Sequence, residues 1–220
     1  MSELAGFLRD ALGHKPADMA LFERAVTHSS ATRDSYERLE FLGDRVIGLV
    51  MASWLYERFP SEPEGKLSRR YNVLVARETC GEIGRELGLP ALIRLGKQAR
   101  DDGANWSDNV VGDVVEALIG ALFLDGGLEQ AERFVRRAWE PYLESQGRAP
   151  KHPKSALQEL AAARNLRAPE YELERKSGVH HAPRFTVRVT VGGLGEATAE
   201  GSSKQEAETA AAAALLSQVQ

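Results

Sequence analysis

Glu37, Glu40 and Asp44 stand at i, i+3 and i+7. At about 100° per residue they share an arc of roughly 60° on one helix face. Asp113 and Glu116 repeat the i, i+3 spacing in a second segment. Glu40 and Asp44 lie within LEFLGDRVIGLVM, and Asp113 and Glu116 lead directly into ALIGALFL. A helix that is apolar nearly all round is a buried one. Burying an unpartnered carboxylate costs several kcal/mol. Basic partners, raised pKa values or a metal ion each answer that cost, with Arg38 and Arg45 as candidate bases.

If a metal is the answer, the donors choose it. All candidate ligands are carboxylate oxygens, no histidine lies at helical spacing beside them, and the single cysteine, Cys80, cannot build a thiolate cage. Oxygen-only donors suit Mg2+, or Mn2+ as substitute, rather than zinc or copper. A helical di-iron site would want Glu-x-x-His pairs, and the sequence contains none. Mg2+ keeps several waters and serves phosphate chemistry. The acids therefore point to Mg2+-dependent phosphotransfer or hydrolysis and leave the substrate open.

The elements that must position these acids are helices. Leu39, Leu42, Val46, Leu49 and Val50 recur at helical spacing, the run continues to Tyr56, and Pro60 and Pro63 close it. The pattern predicts one helix across residues 67–87, with Gly88 and Pro90 as stop signals. Another runs over 109–124 and stops at Asp125-Gly-Gly127, and a further one covers 128–143. No strand-like alternation occurs in this half, so it reads as all-α.

Near residue 150 the pattern changes. Gln146-Gly-Arg-Ala-Pro-Lys-His-Pro153 is polar and carries Gly147, Pro150 and Pro153, the composition of a linker. The expected division is 1–145, a linker over 146–152, and a second domain over 153–220. Residues 153–165 read as a helix with Leu157, Leu160 and Ala161 on one face. Tyr171, Leu173 and Arg175 alternate, then Phe185, Val187, Val189 and Val191 alternate with polar residues between, as in a half-buried strand. Tyr171 and Phe185 are read as core. Gly192-Gly193 signals a hairpin, Ala197 and Ala199 mark a third strand, and Ser203-Lys-Gln-Glu206 fits a capping box before an alanine-rich helix. The order α-β-β-β-α predicts an antiparallel sheet with both helices on one face.

Composition sets the frame. The 220 residues are 43% hydrophobic and 27% charged, which excludes global disorder and collagen-like repeats. One cysteine rules out an intramolecular disulfide framework and fits a reducing compartment. No apolar run reaches the roughly 18 residues of a membrane span, and MSELAGFLRD lacks the basic start of a signal peptide. A cytoplasmic protein is expected. The net charge of −4 is uneven: residues 148–220 hold ten Lys/Arg against eight Asp/Glu, and 1–147 hold eighteen against twenty-four. A basic module beside an acidic one keeps nucleic acid among the partners.

The second module offers three contact regions. Gly178-Val-His180-His181-Ala-Pro183-Arg184 joins its first two strands, Gly201-Ser-Ser-Lys204 opens its last helix, and Gln158 and Glu159 lie on its first helix. Backbone N–H groups and a lysine at a helix start suit phosphate. A helix, a hairpin and a helix start together suit A-form RNA, whose shallow minor groove exposes 2′-hydroxyls.

Glu37-Arg-Leu-Glu-Phe-Leu-Gly-Asp44 resembles the signature of the ribonuclease III family, and Asp113-Val-Val-Glu-Ala-Leu-Ile-Gly120 resembles its second acidic motif. The C-terminal module is similar to a double-stranded RNA-binding domain, and the combination looks like the compact bacterial form. The resemblance implies an all-α endonuclease and dimerisation domain, a homodimer, and cleavage of double-stranded RNA. It implies 5′-phosphate and 3′-hydroxyl ends with a short 3′ overhang, and processing of ribosomal RNA precursors and other structured transcripts. Glu40, Asp44, Asp113 and Glu116 match the family's metal-binding acids, with Asp44 and Glu116 as the indispensable pair. Glu37 and Glu64 match acids that help at the cleavage site. Phe41 matches an aromatic inserted into the partner subunit, against the reading of an ordinary core aromatic. Gln158, Glu159, His181, Ser203 and Lys204 match RNA contacts. Gln205 stands where a second lysine is common and Val179 where a proline is common.

Two other classes share some of these features. A duplex-binding protein without chemistry would gain nothing from acids in a core helix. A Mg2+-dependent phosphohydrolase of small molecules would have no use for the C-terminal module.

Overall fold

The helical pattern of the first half folds as α1 (Glu3–Asp10), α2 (Met19–Ala25), α3 (Glu37–Arg58), α4 (Glu64–Leu74), α5 (Arg77–Glu86), α6 (Lys97–Asp101) and α7 (Asp108–Ser145), with single 3-10 turns at Leu89–Ala91 and Ala104–Trp106. The computed structural model describes residues 3–147, 152–179 and 182–219. The chain divides into two compact units, residues 1–149 and 150–220.

The single helix expected over 67–87 is two. Ala76 takes extended backbone (φ −64°, ψ 146°) between α4 and α5. Side chains from elsewhere satisfy the carbonyls this break exposes: the Trp139 indole N–H donates to the Leu74 carbonyl at 2.7 Å, and the Thr79 hydroxyl donates to that of Val73 at 2.7 Å. Helix α7 breaks where expected. Gly127 adopts φ 78° and ψ 178° within it, a backbone open to glycine. Just before it, the Asp125 carboxylate accepts from the Ala17 and Asp18 N–H groups at 3.0 and 2.9 Å and pairs with His14.

Helices α3 and α7 form the centre. Ile47, Met51 and Leu55 of α3 and Val111, Leu118 and Ala121 of α7 are fully buried in one core. The two backbones meet at two glycines. A Cβ on Gly43 would overlap the Glu116 carbonyl oxygen, and a Cβ on Gly120 would overlap that of Leu39. Helix α3 is not buried all round, as its apolar sequence suggested. Phe41, Leu49 and Tyr56 are 64%, 59% and 75% exposed, so part of its apolar surface faces outward.

The second unit contains α8 (Pro153–Ala163), β1 (Glu170–Val179), β2 (Ala182–Val191), β3 (Gly195–Gly201) and α9 (Lys204–Val219). The strands form one antiparallel sheet in the order β1-β2-β3. Leu157 and Ala161 of α8, Ala211 and Leu215 of α9, and Val189 and Val191 of β2 share one core, so both helices cover the same face. The expected alternation in β1 is interrupted. A bulge between Leu173 and Arg175 sets Leu173 opposite the buried Val187 but Arg175 opposite Thr186, because one extra residue switches the face that follows it. Tyr171 packs against the core. Phe185 is half-buried, with the Lys176 ammonium 5.5 Å from its ring centre. The capping box forms in altered register: Ser203 Oγ accepts from the Glu206 N–H at 3.1 Å, while the Glu206 carboxylate reaches back to the Ser202 N–H at 2.8 Å.

Candidate functional site

The glycine contact between α3 and α7 places the acids. Glu40 lies one turn before Gly43 and Asp44 directly after it, while Glu116 supplies the carbonyl against which Gly43 packs. Asp113 stands one turn earlier on α7. Two acid-bearing helix faces are therefore locked together by backbone contact, which fixes side-chain origins better than a loop would.

Glu40, Asp113 and Glu116 feel one another. Burial, together with the charges of Glu40 and Asp113, pushes the Glu116 carboxyl up to about 7. Burial also raises Glu40, followed by the charge of Asp113. Arg77 and Arg45 oppose both shifts. Of the two bases expected from the sequence, Arg45 takes part and Arg38 does not figure among these influences. Arg77 occupies the place instead. It opens α5, and reading residues 67–87 as continuous helix hid it. Burial also pushes the nearby Cys80 thiol up to about 12, assisted by the charge of Glu116.

Asp44 stands apart from this trio. It shares its helix face with Glu40, yet its carboxylate pairs with the neighbouring Arg45. Like charges crowded on one face repel, and an adjacent guanidinium offers Asp44 relief. Among the described residues, no group of three or more His, Cys, Asp and Glu side chains is gathered closely enough to hold a metal ion. The trio and Asp44 nevertheless present only hard oxygen donors, the set that fits Mg2+ or Mn2+.

Tyr36 escaped the sequence reading. Its hydroxyl donates to Asp113 Oδ2 at 3.1 Å, and its side chain is buried. Its position immediately before Glu37 was the one available signal. Glu37 is exposed on the first turn of α3. Glu64 is exposed on a different helix, at the start of α4, and its carboxylate accepts from the Ser68 hydroxyl at 2.6 Å.

Phe41 is no core aromatic. It borders a surface cavity of about 780 Å³ together with Glu37, Arg38, Leu42 and Leu124, and Leu124 is itself 56% exposed.

In the second unit, Gln158 and Glu159 are exposed beside the buried Leu157 on α8. Ser203 and Lys204 are exposed at the start of α9, where the Ser203 oxygen is already engaged as a cap. The Lys204 ammonium lies 3.8 Å from Glu208 Oε1, and Lys154 of α8 holds Glu208 Oε2 at 2.6 Å. His180 and His181 lie outside the described residues, as do residues 148–151 of the expected linker.

Comparison with known proteins adds a second line of observation. A family described as Ribonuclease-III-like matches residues 18–142, and the Double-stranded RNA binding motif matches residues 153–219. A protein named Ribonuclease 3 from Zymomonas mobilis is 62% identical over 205 residues, covering 93% of this chain and 83% of the relative. Another of that name from Methylocella silvestris is 46% identical over 212 residues, covering 95% and 90%. The solved nuclease domain of ribonuclease III from Campylobacter jejuni superposes with a TM-score of 0.60 at 32% identity, covering 61% of this chain and 95% of that one. That structure is described for flexibility in a region involved in dimer formation.

Proposed function

Because this chain belongs to the ribonuclease III family, we propose that Glu40, Asp44, Asp113 and Glu116 hold the Mg2+ (or Mn2+) with which it hydrolyses double-stranded RNA. The chain is a double-stranded-RNA-specific endoribonuclease with a helical nuclease domain and a double-stranded RNA-binding domain. The observation that supports the metal assignment is the backbone contact at Gly43 and Gly120, which brings the acid-bearing faces of α3 and α7 together so that the charges of Glu40 and Asp113 act on Glu116. Bound there, a divalent cation supplies Lewis acidity toward phosphoryl oxygens and activation of water for in-line attack.

The protein's own groups have distinct tasks in this reading. Glu116, whose carboxyl is pushed up to about 7 by burial and like charges, would be held ionised by the cation it binds, and Asp44 must exchange Arg45 for that cation. These two are the indispensable pair. Glu37 and Glu64 assist at the cleavage site. Residues 1–145 form the catalytic and dimerising domain, 146–152 connect, and 153–220 bind the duplex. Within that module Gln158 and Glu159 address the minor groove, and Ser203, Lys204 and His181 the neighbouring backbone. The exposed Phe41 and its adjoining cavity support a homodimer built across α3, so that each subunit cuts one strand. The products are 5′-phosphate and 3′-hydroxyl ends with a short 3′ overhang. The setting is cytoplasmic processing of ribosomal RNA precursors and other structured transcripts. Among the described residues no helix is long and apolar enough to cross a membrane.

A uniform RNA duplex incubated with the protein in Mg2+ and in EDTA tests this reading. Cleavage confined to Mg2+, with those end groups, is expected. Equal cleavage in EDTA would refute the metal assignment. Deleting residues 148–220 should sharply weaken cleavage at physiological salt.

A further inference from the structure

Tyr36 joins the two acid-bearing helices by both ends of the residue. Its backbone begins α3: the carbonyl accepts from the N–H groups of Leu39 and Glu40 at 2.8 and 2.9 Å, and its own N–H donates to the Thr27 carbonyl at 2.9 Å. Its ring stands edge-on to His28, with 5.6 Å between ring centres and 64° between planes. Only 4% of the residue is exposed. Backbone and ring are both held, so the phenol oxygen is fixed relative to α3. From there it crosses to α7 and donates to Asp113 Oδ2 at 3.1 Å.

We propose that Tyr36 is a positioning residue that sets the plane of the Asp113 carboxylate for the divalent cation. This inference rests on the assignment of Asp113 as a metal ligand. The terminal torsion of an aspartate is broad and nearly free between its two equivalent settings, so an unrestrained carboxylate spends much of its time misaligned. A buried donor on one oxygen removes that freedom. Partners behind a ligand are worth about 10–100-fold in metal affinity.

The test uses Mn2+ alone, titrated into the full-length protein without RNA and followed by electron paramagnetic resonance of the free ion. Tyr36→Phe removes one oxygen and keeps the ring. The expected result is Mn2+ affinity weakened by about tenfold or more, with unchanged helical circular dichroism and unchanged duplex binding in EDTA. The Mn2+ concentration for half-maximal cleavage should rise in step. Combining Tyr36→Phe with Asp113→Asn should weaken Mn2+ no further than Asp113→Asn alone, because the tyrosine acts through that carboxylate. Parental or tighter Mn2+ affinity in Tyr36→Phe, or additive effects in the double variant, would overturn the role. If Asp113→Asn itself leaves Mn2+ binding unchanged, the ligand assignment falls and the role of Tyr36 falls with it. Loss in Asp113→Asn without loss in Tyr36→Phe rejects the tyrosine alone.

Discussion

Gly43 on α3 packs directly onto the backbone of Glu116 on α7, and a side chain on the glycine would occupy the place of the Glu116 carbonyl oxygen. This contact carries both the packing of the domain and the geometry of its acids. Gly43→Ala should therefore be costly twice over. Alanine gains about 1 kcal/mol of helix propensity, but a backbone obstacle cannot swing aside as a flexible side chain can. Overpacking costs about 1–3 kcal/mol and sometimes more, and with the overlap falling on backbone the upper end applies, so a net loss of about 2 kcal/mol is expected in urea denaturation. Cleavage should fall as well, because the helices must separate. Parental stability and activity would show that the helices do not meet as described.

Glu116→Gln should abolish cleavage, by more than about 100-fold, and leave duplex binding in EDTA intact. The residue lies in the nuclease unit, while the proposed duplex contacts of α8 and α9 lie in the other. Its effect should exceed the 10–100-fold typical of a group behind the ligand. Undiminished turnover with purified Glu116→Gln in Mg2+ would remove Glu116 from the chemistry.

The same residue gives the protein a pH signature. An acid whose folded pKa lies near 7 binds its proton more tightly folded than unfolded, where the ordinary glutamate value of about 4.3 applies. Between these values the folded state holds more protons, so stability falls as pH rises. In EDTA, the Tm difference between Glu116→Gln and the parent should grow in favour of the variant from pH 5 to 7.5. Added Mn2+ should reverse the trend by stabilising the ionised parent. A pH-independent difference would contradict the burial of this carboxyl among like charges.

Much of this architecture was legible in the residues. Helical periodicity, the Gly127 break and the β2 alternation all follow from local spacing and turn chemistry. Two readings failed for a shared reason, that single-chain periodicity does not show what lies opposite. The split between α4 and α5 depends on Trp139 capping Leu74 from 65 residues away. The exposed Leu49 and Tyr56 look in sequence like ordinary core. At the site, acid spacing found the ligand candidates, whereas Tyr36 and Arg77 act across helices and carry no periodic signal. The pairing of Asp44 with Arg45 is one of the three answers to a buried carboxylate, and Glu40 and Glu116 use another, raised pKa values.

Phe41→Ala should weaken self-association. The ring is 64% exposed beside a cavity of about 780 Å³ lined by Leu42 and Leu124, with the Arg45 guanidinium 5.2 Å from its centre. Filling that cavity on a second copy would bury it fully, and burial of a phenylalanine is worth about 1.5–3 kcal/mol. Two copies of the contact double the effect. Sedimentation velocity across protein concentration should show the dimer dissociating at least about tenfold more readily. An unshifted equilibrium would move the dimer interface away from Phe41.

Glu208 should restrain RNA binding. Its two carboxylate oxygens face two cations, Lys154 at 2.6 Å and Lys204 at 3.8 Å. Lys154 is further held over the Tyr171 ring at 4.7 Å, whereas Lys204 is 59% exposed on the first turn of α9. Lys204 is thus the cation with freedom to meet a phosphate, and Glu208 competes with the duplex for it. Glu208→Gln keeps the shape and removes the competing charge. The long Lys204–Glu208 pair, exposed at its lysine, contributes only about 0–1 kcal/mol to stability, and a glutamine oxygen can still accept from Lys154, so the fold should persist. Duplex affinity at moderate salt should tighten several-fold, and the slope of log K against log salt should steepen by up to about one. Lys204→Gln should do the reverse, weakening binding and flattening the slope by about one. The opposite outcome for Glu208→Gln, weaker binding with Lys204 intact, would mean that the carboxylate aims the lysine at the backbone rather than holding it back.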